Sequence, residues 1–146
     1  MRELPSQVLV DADFFISILR GDELAGNALR LLDKALRGEV MLQTSSETYD
    51  DIISAYRSGG YTTEEIISLL SDIRSIPHRA IPITDEIALK AMELYAEHGG
   101  RGKLHYFDAF HIATAIKTQR PLITSDRYIL ENAERLGIKA IDLREV

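Results

Sequence analysis

The pattern that most constrains this chain is a series of short, mainly apolar runs separated by helix-length amphipathic stretches. Val8-Leu9-Val10, Val40-Met41-Leu42, Ala80 to Ile83, Leu122 to Thr124 and Ile138 to Ile141 are such runs. They lack the strict polar–apolar alternation of a strand with one wet face, so they read as strands buried on both faces. The segments between them repeat apolar residues at helical spacing: Leu24, Ala28, Leu31, Leu32 and Ala35, then Tyr49, Ile52, Ile53 and Tyr56, then Ile66, Leu69, Leu70 and Ile73. Strands alternating with helices imply an α/β fold, a three-layer α/β/α sandwich on a mainly parallel central sheet. Two helices between Ser46 and Ser75 have no strand between them and are expected to project as a hairpin. The second opens with Thr62 three residues before Glu65, the spacing of a capping box. No repeat or linker interrupts the order, and residues 1–146 are expected to form a single domain.

A length of 146 residues suffices for a substantial core without staples. Cysteine is absent, which excludes disulfides and thiolate metal sites. The chain has no apolar run of membrane-spanning length and no signal-peptide pattern at Met1 to Gln7, so a soluble, cytoplasmic protein without membrane contact is expected. The formal charge of −6 argues against binding nucleic acid through a broadly basic face. It does not argue against a site whose acids are neutralised by a cation.

Acids stand at telling places in this pattern. Asp11 and Asp13 follow the first strand, and Asp126 follows Leu122 to Thr124. In doubly wound sheets, ligands bind beyond the carboxyl ends of the strands. Asp108, in the first turn of the helix from Tyr106, approaches the same edge from the side; the helix dipole alone also accounts for an acid there. Gathered carboxylates repel unless cations neutralise them. Hard divalent ions, Mg2+ or Mn2+, favour such oxygen ligands and activate water for phosphodiester hydrolysis. Asp13 either reaches a metal through water or caps the helix that starts beside it. Thr124 and Ser125 either orient Asp126 or cap the following helix. His111, one turn after Asp108, suits packing or a hydrogen bond better than an Mg2+ ligand, and His105 reads as an exposed residue before the helix.

Val8-Leu9-Val10-Asp11-Ala12-Asp13-Phe14-Phe15-Ile16 resembles the opening motif of PIN-domain ribonucleases. Tyr106-Phe107-Asp108-Ala109-Phe110-His111-Ile112-Ala113-Thr114-Ala115 resembles their third-acid helix, and Leu122-Ile123-Thr124-Ser125-Asp126 their fourth-acid strand end. The resemblance extends over the whole chain. It implies a metal-dependent nuclease acting on RNA, with Asp11, Asp108 and Asp126 on the metal and Mg2+ or Mn2+ as cofactor. The toxins of VapBC toxin–antitoxin pairs are the largest group of such small proteins, which implies a cognate antitoxin as partner. The family usually carries Glu on the helix after the second strand. Here Ser45-Ser46-Glu47-Thr48-Tyr49-Asp50-Asp51-Ile52 puts the shorter Asp51 in that slot, and Glu47, one turn earlier, is the alternative.

The run from Gly99 to Lys103 carries Arg101 and Lys103 in a Gly-rich loop that is either solvated or able to grip RNA phosphates, as are Arg20 and Arg127 beside the strand-end acids. Tyr49, Tyr56 and Tyr61 are candidates for base stacking, but Tyr49 and Tyr56 fit the buried stripe of their helix better. The wide Ile66-Leu69-Leu70-Ile73 stripe predicts a homodimer through the hairpin. Two other readings remain open. A non-catalytic PIN-like scaffold binding RNA or protein fits the missing Glu. A haloacid-dehalogenase-like phosphatase, with Asp11 as nucleophile and Asp13 as general acid, fits the strand–Asp-x-Asp opening but not Phe15.

Overall fold

The computed structural model describes residues 3–146. Five strands form one sheet: β1 (Gln7–Val10), β2 (Met41–Ser45), β3 (Arg79–Ile81), β4 (Leu122–Thr124) and β5 (Ala140–Asp142). All neighbours pair in parallel, in the order β3-β2-β1-β4-β5. The chain therefore starts in the middle, winds out to β3, and returns to the other side of β1. Its switch point lies between β1 and β4.

Helices α1 (Ala12–Arg20), α2 (Ala25–Leu36), α3 (Glu47–Ser58), α4 (Thr63–Ser75), α5 (Asp85–His98), α6 (Tyr106–Thr118) and α7 (Arg127–Leu136) cover the sheet. Side chains alternate across each strand, and the two cores record it. Val8, Val10, Leu42 and Ile123 join Phe14, Phe15, Leu31, Ile52 and Ile73 under α1 to α4. Leu9 and Leu122 join Ile87, Leu94, Ile112 and Ile129 under α5 to α7. The result is the expected three-layer sandwich, with α3 and α4 as a helical hairpin. Each fully buried Leu or Ile contributes roughly 1.5–3 kcal/mol through lost apolar exposure. Helix α6 is central, with every residue from Ala109 to Ala115 buried. That fixes Asp108, one residue upstream, to a rigid element.

Several boundaries differ from expectation for identifiable reasons. Strand β2 runs on past Leu42 through Thr44 and Ser45, whose hydroxyls bond across its end to Val10 O and His111 Nδ1. Strand β3 stops before Pro82, which lacks an N–H, and the Ile83 N–H donates to Ser46 Oγ. Strand β5 starts at Ala140 because the Ile138 N–H closes α7 on Ala133 O, beyond Gly137 at φ 81°. The capping box of Thr62 and Glu65 is formed, with both reciprocal bonds present.

The hairpin stripe is largely consumed within the chain. Ile66 and Ile73 are buried, and Leu69 and Leu70 pack against the core, which leaves Ile67 exposed. The chain's own helices thus cover part of the apolar width from which a homodimer was expected. The 99–105 loop is also more anchored than its glycines suggested. Leu104 is buried, Gly99 bridges to Leu104, and a Cβ at Gly99 would clash with Tyr95 O and the Tyr95 ring. Among the described residues, no helix is long and apolar enough to cross a membrane.

Candidate active site

The carboxyl ends of β1 and β4 diverge at the switch point, and the acids collect in that gap. Asp11, the residue after β1, is buried. Thr124, the last residue of β4, donates from Oγ1 to Asp11 Oδ2 at 2.6 Å and accepts the Asp126 N–H at 3.1 Å. One hydroxyl thereby ties the two strand ends and both acids together. Asp126 caps α7 by accepting the Ile129 N–H at 3.0 Å. The capping role considered for Thr124 and Ser125 therefore falls to Asp126. Ser125 Oγ instead faces Asp13 Oδ2 at 3.5 Å, at the limit of a hydrogen bond. Asp13 stands within the first turn of α1 and does not cap it.

Helix α3 is tied to this edge by a chain of hydroxyls. Thr44 Oγ1 donates to Val10 O at 2.7 Å, and Thr48 Oγ1 lies 2.6 Å from Thr44 Oγ1. Asp51, one turn after Thr48, faces the cluster: its charge acts on both Asp13 and Asp108. Glu47 is raised mainly by burial, and the acids that act on it are Asp50 and Asp51. Of the two candidates for the second acid, Asp51 is the one that meets the other carboxylates.

Electrostatics makes the crowding explicit. Burial pushes Asp11 up to about 8, and repulsion from Asp13 and Asp108 adds to it against the Thr124 hydrogen bond. Burial likewise pushes Asp108 up to about 8, with repulsion from Asp126, Asp51 and Asp13. Asp13 is exposed, yet the protein around it raises its carboxyl, and Asp51 and Asp126 repel it further. Among the described residues, no Lys or Arg is ion-paired to these five acids. Uncompensated carboxylates held this close are poised to release protons in exchange for a cation.

Two histidines meet the acids. His105, the residue before α6, places Nδ1 3.3 Å from Asp108 Oδ2 and 3.9 Å from Asp126 Oδ2. His105, Asp108 and Asp126 offer one ligand atom each within 4.8 Å of one another. The sequence reading left His105 as an exposed bystander; its place three residues before Asp108 was the available signal. His111 is buried beneath, with Nδ1 3.1 Å from Ser45 Oγ and Nε2 3.6 Å from Asp51 Oδ2.

The cationic candidates are more scattered. Arg101 and Lys103 are exposed on the loop leading to His105, and Arg127 is exposed at the start of α7, next to Asp126. Arg20 lies at the far end of α1, over the Tyr56 ring at 5.2 Å, and is not brought to the acids. Tyr56 is buried and Tyr49 donates or accepts through its hydroxyl with His78 Nε2 at 2.6 Å, which leaves Tyr61 as the exposed member of that trio.

At the switch point of a parallel sheet, these acids and the His105 imidazole at their rim bring together donor atoms that could hold a metal ion. The model of the PIN domain family matches residues 8–136, and the chain belongs to that family. Curated proteins include no significant match. Solved structures do share the fold. VapBC2 from Rickettsia felis, bound to a DNA fragment from its promoter, is 16% identical with a TM-score of 0.64, covering 93% of this chain and 98% of that one. VapBC-5 from Mycobacterium tuberculosis, of a toxin–antitoxin family, is 19% identical with a TM-score of 0.57, covering 94% and 98%. VapC20 from Mycobacterium tuberculosis, a Sarcin-Ricin loop cleaving toxin, is 20% identical with a TM-score of 0.61, covering 79% and 86%. Family membership accounts for the strand–Asp-x-Asp opening without a phosphatase.

Proposed function

We propose that this chain is a divalent-metal-dependent ribonuclease, a single-domain PIN nuclease that hydrolyses RNA phosphodiester bonds. The observation that carries the reading is the set of five acids, Asp11, Asp13, Asp51, Asp108 and Asp126, at one switch point, two of them pushed up to about 8. PIN domains are typically nucleases, and the donor set fits a hard cation. Carboxylate oxygens dominate it, and the one imidazole at its rim suits Mn2+ at least as well as Mg2+.

Asp108, Asp126 and Asp11 are the residues assigned to hold Mg2+ or Mn2+, with His105 beside the first two. Bound there, the cation supplies a Lewis acid that activates water and neutralises phosphodiester charge. The chain's own groups set the stage. Thr124 holds Asp11 Oδ2, so one carboxylate edge is fixed before any ligand arrives. Asp126 is fixed through its cap to α7. Asp51 and Asp13 complete the negative rim and keep an incoming phosphate away unless cations are present. Arg101, Lys103 and Arg127 surround that rim and are assigned to phosphates flanking the cleaved bond.

The likeness to VapBC-5 and VapC20 supports a toxin role with a cognate antitoxin as partner in the cytoplasm. The homodimer expected from the hairpin finds little apolar surface there, and sedimentation of the purified chain decides it. The non-catalytic scaffold keeps one observation in its favour, the shorter Asp51 in the place of Glu.

Cleavage of a structured RNA pool with Mg2+ or Mn2+, against EDTA and against the Asp108→Asn/Asp126→Asn double variant, tests the function. Metal-dependent cutting lost in the variant is the expected result. A wild type that neither cuts nor binds metal selects the scaffold.

A further inference from the structure

His111 is the one imidazole enclosed in the acid cluster, and hydrogen-bond bookkeeping fixes which of its nitrogens carries a proton. Ser45 is buried, and its Oγ already accepts the Glu47 N–H at 3.2 Å. The hydroxyl proton then needs an acceptor, and the partner at hand is His111 Nδ1 at 3.1 Å. A buried hydroxyl left without an acceptor would be destabilising. Nδ1 is therefore the acceptor, and the ring is the Nε2–H tautomer. That Nε2–H is buried and has no hydrogen-bond partner among the described residues. It is aimed at Asp51 Oδ2, 3.6 Å away.

We propose that His111, set by Ser45, is the positioning residue for Asp51, holding this short carboxylate against the metal cluster where the family usually has the longer Glu. The gap of 3.6 Å is just beyond a hydrogen bond, and a small rotation of Asp51 towards Nε2 closes it. A donor beneath a carboxylate fixes which oxygen turns towards a cation. Metal sites commonly steer their ligands through such outer contacts. Helix α6 thus contributes twice, with Asp108 in the cluster and His111 one turn on, beneath Asp51. The inference deepens the metal-site reading and rests on it.

Two measurements test it. The first is a double-mutant cycle on Mn2+ affinity, read by calorimetry, with wild type, His111→Leu, Asp51→Asn and both together. His111→Leu is expected to weaken Mn2+ binding roughly 10–100-fold. In the Asp51→Asn background it is expected to add little. His111→Gln, which keeps a donor, is expected to recover part of the loss, and serves in place of Leu should that variant melt early. Independent, multiplying effects overturn the proposal. The second needs no metal: long-range proton–nitrogen NMR of the metal-free protein. It is expected to show the Nε2–H tautomer, with a resonance that shifts in Asp51→Asn. An Nδ1–H ring, or a resonance indifferent to Asp51, overturns the proposal. A wild type that binds no Mn2+ overturns the metal-site reading instead, while the NMR still decides whether His111 addresses Asp51.

Discussion

The two ends of the sheet differ more than its two faces. At the amino ends of β1, β2 and β3 lies a hollow of about 590 Å3, lined by residues such as Gln7, Val40, Met41, Leu42, His78 and Arg79. Its walls are mostly apolar, and its polar groups are largely answered: Gln7 Oε1 accepts from Arg120 Nε at 2.8 Å and from Gln43 Nε2 at 3.3 Å. At the carboxyl ends charge gathers instead, with five acids to which no Lys or Arg is ion-paired among the described residues. Volume therefore does not mark the chemistry; unbalanced charge does. The first end is built to be stable. The second is built at the expense of stability, which the proposed cation would restore on binding.

Removing charge from the carboxyl edge has the largest expected effect, and its two consequences have opposite signs. Asp108→Asn/Asp126→Asn is expected to reduce metal-dependent RNA cleavage by roughly 10²–10⁴-fold. The same variant is expected to raise the metal-free stability at pH 8 by at least ~1.4 kcal/mol, the equivalent of one pKa unit of relieved repulsion. Chemical denaturation in EDTA reads the second effect. A variant that is both dead and destabilised would mean that these acids are structural.

Leu42→Ala, at the amino end, is the reverse case. Leu42 is buried, so its truncation should cost about 2–5 kcal/mol in the same denaturation experiment. At temperatures where the variant stays folded, Mn2+ affinity should be near that of wild type.

The pH dependence separates the ends next. Asp11 and Asp108 are pushed up from 3.8 to about 8 in the folded chain. Between those values the folded state binds more protons than the unfolded one. Its metal-free stability is therefore greatest at the acid side of the window and falls as pH rises towards 8. A metal-free Tm that declines from pH 5 to pH 8, and a decline flattened by Mg2+, is the expected pair of curves. A flat metal-free curve would contradict the crowding.

Thr124→Val tests the hydroxyl that joins the strand ends. It removes the bond that lowers Asp11, so the acid limb of the pH–cleavage profile should move to higher pH. The stability cost should be about 1 kcal/mol. The smallest effect belongs to Met41→Ala beside the large hollow. Met41 is half exposed, and both stability, within roughly 0.5 kcal/mol, and cleavage should stay unchanged.

The sequence made the carboxyl edge legible because strand-end acids depend on topology, and the alternation of apolar runs with helices dictates that topology. Asp11 and Asp126 were readable for this reason, and Asp108 through its place in the first turn of the helix from Tyr106. Asp51 was singled out, with Glu47 in reserve, through the resemblance, because the run from Ser45 puts it in the slot where the family carries Glu, and its charge reaches Asp13 and Asp108 in the fold. His105 was missed because a residue before a helix has no periodicity to betray its direction. The apolar stripe of α4 was read as surplus; the fold buries Ile66 and Ile73, through partners far apart in sequence, and leaves Leu69 and Leu70 half-buried. The tautomer of His111 depends on the hydroxyl of Ser45, 66 positions away, and no local pattern encodes that.

The most direct test of the central claim is a calorimetric Mn2+ titration of wild type and Asp108→Asn/Asp126→Asn at pH 8, in parallel. The account predicts saturable binding with proton release by the wild type, and none by the variant. Equal binding by both, or binding by neither, would contradict a metal centre at the carboxyl edge of the sheet.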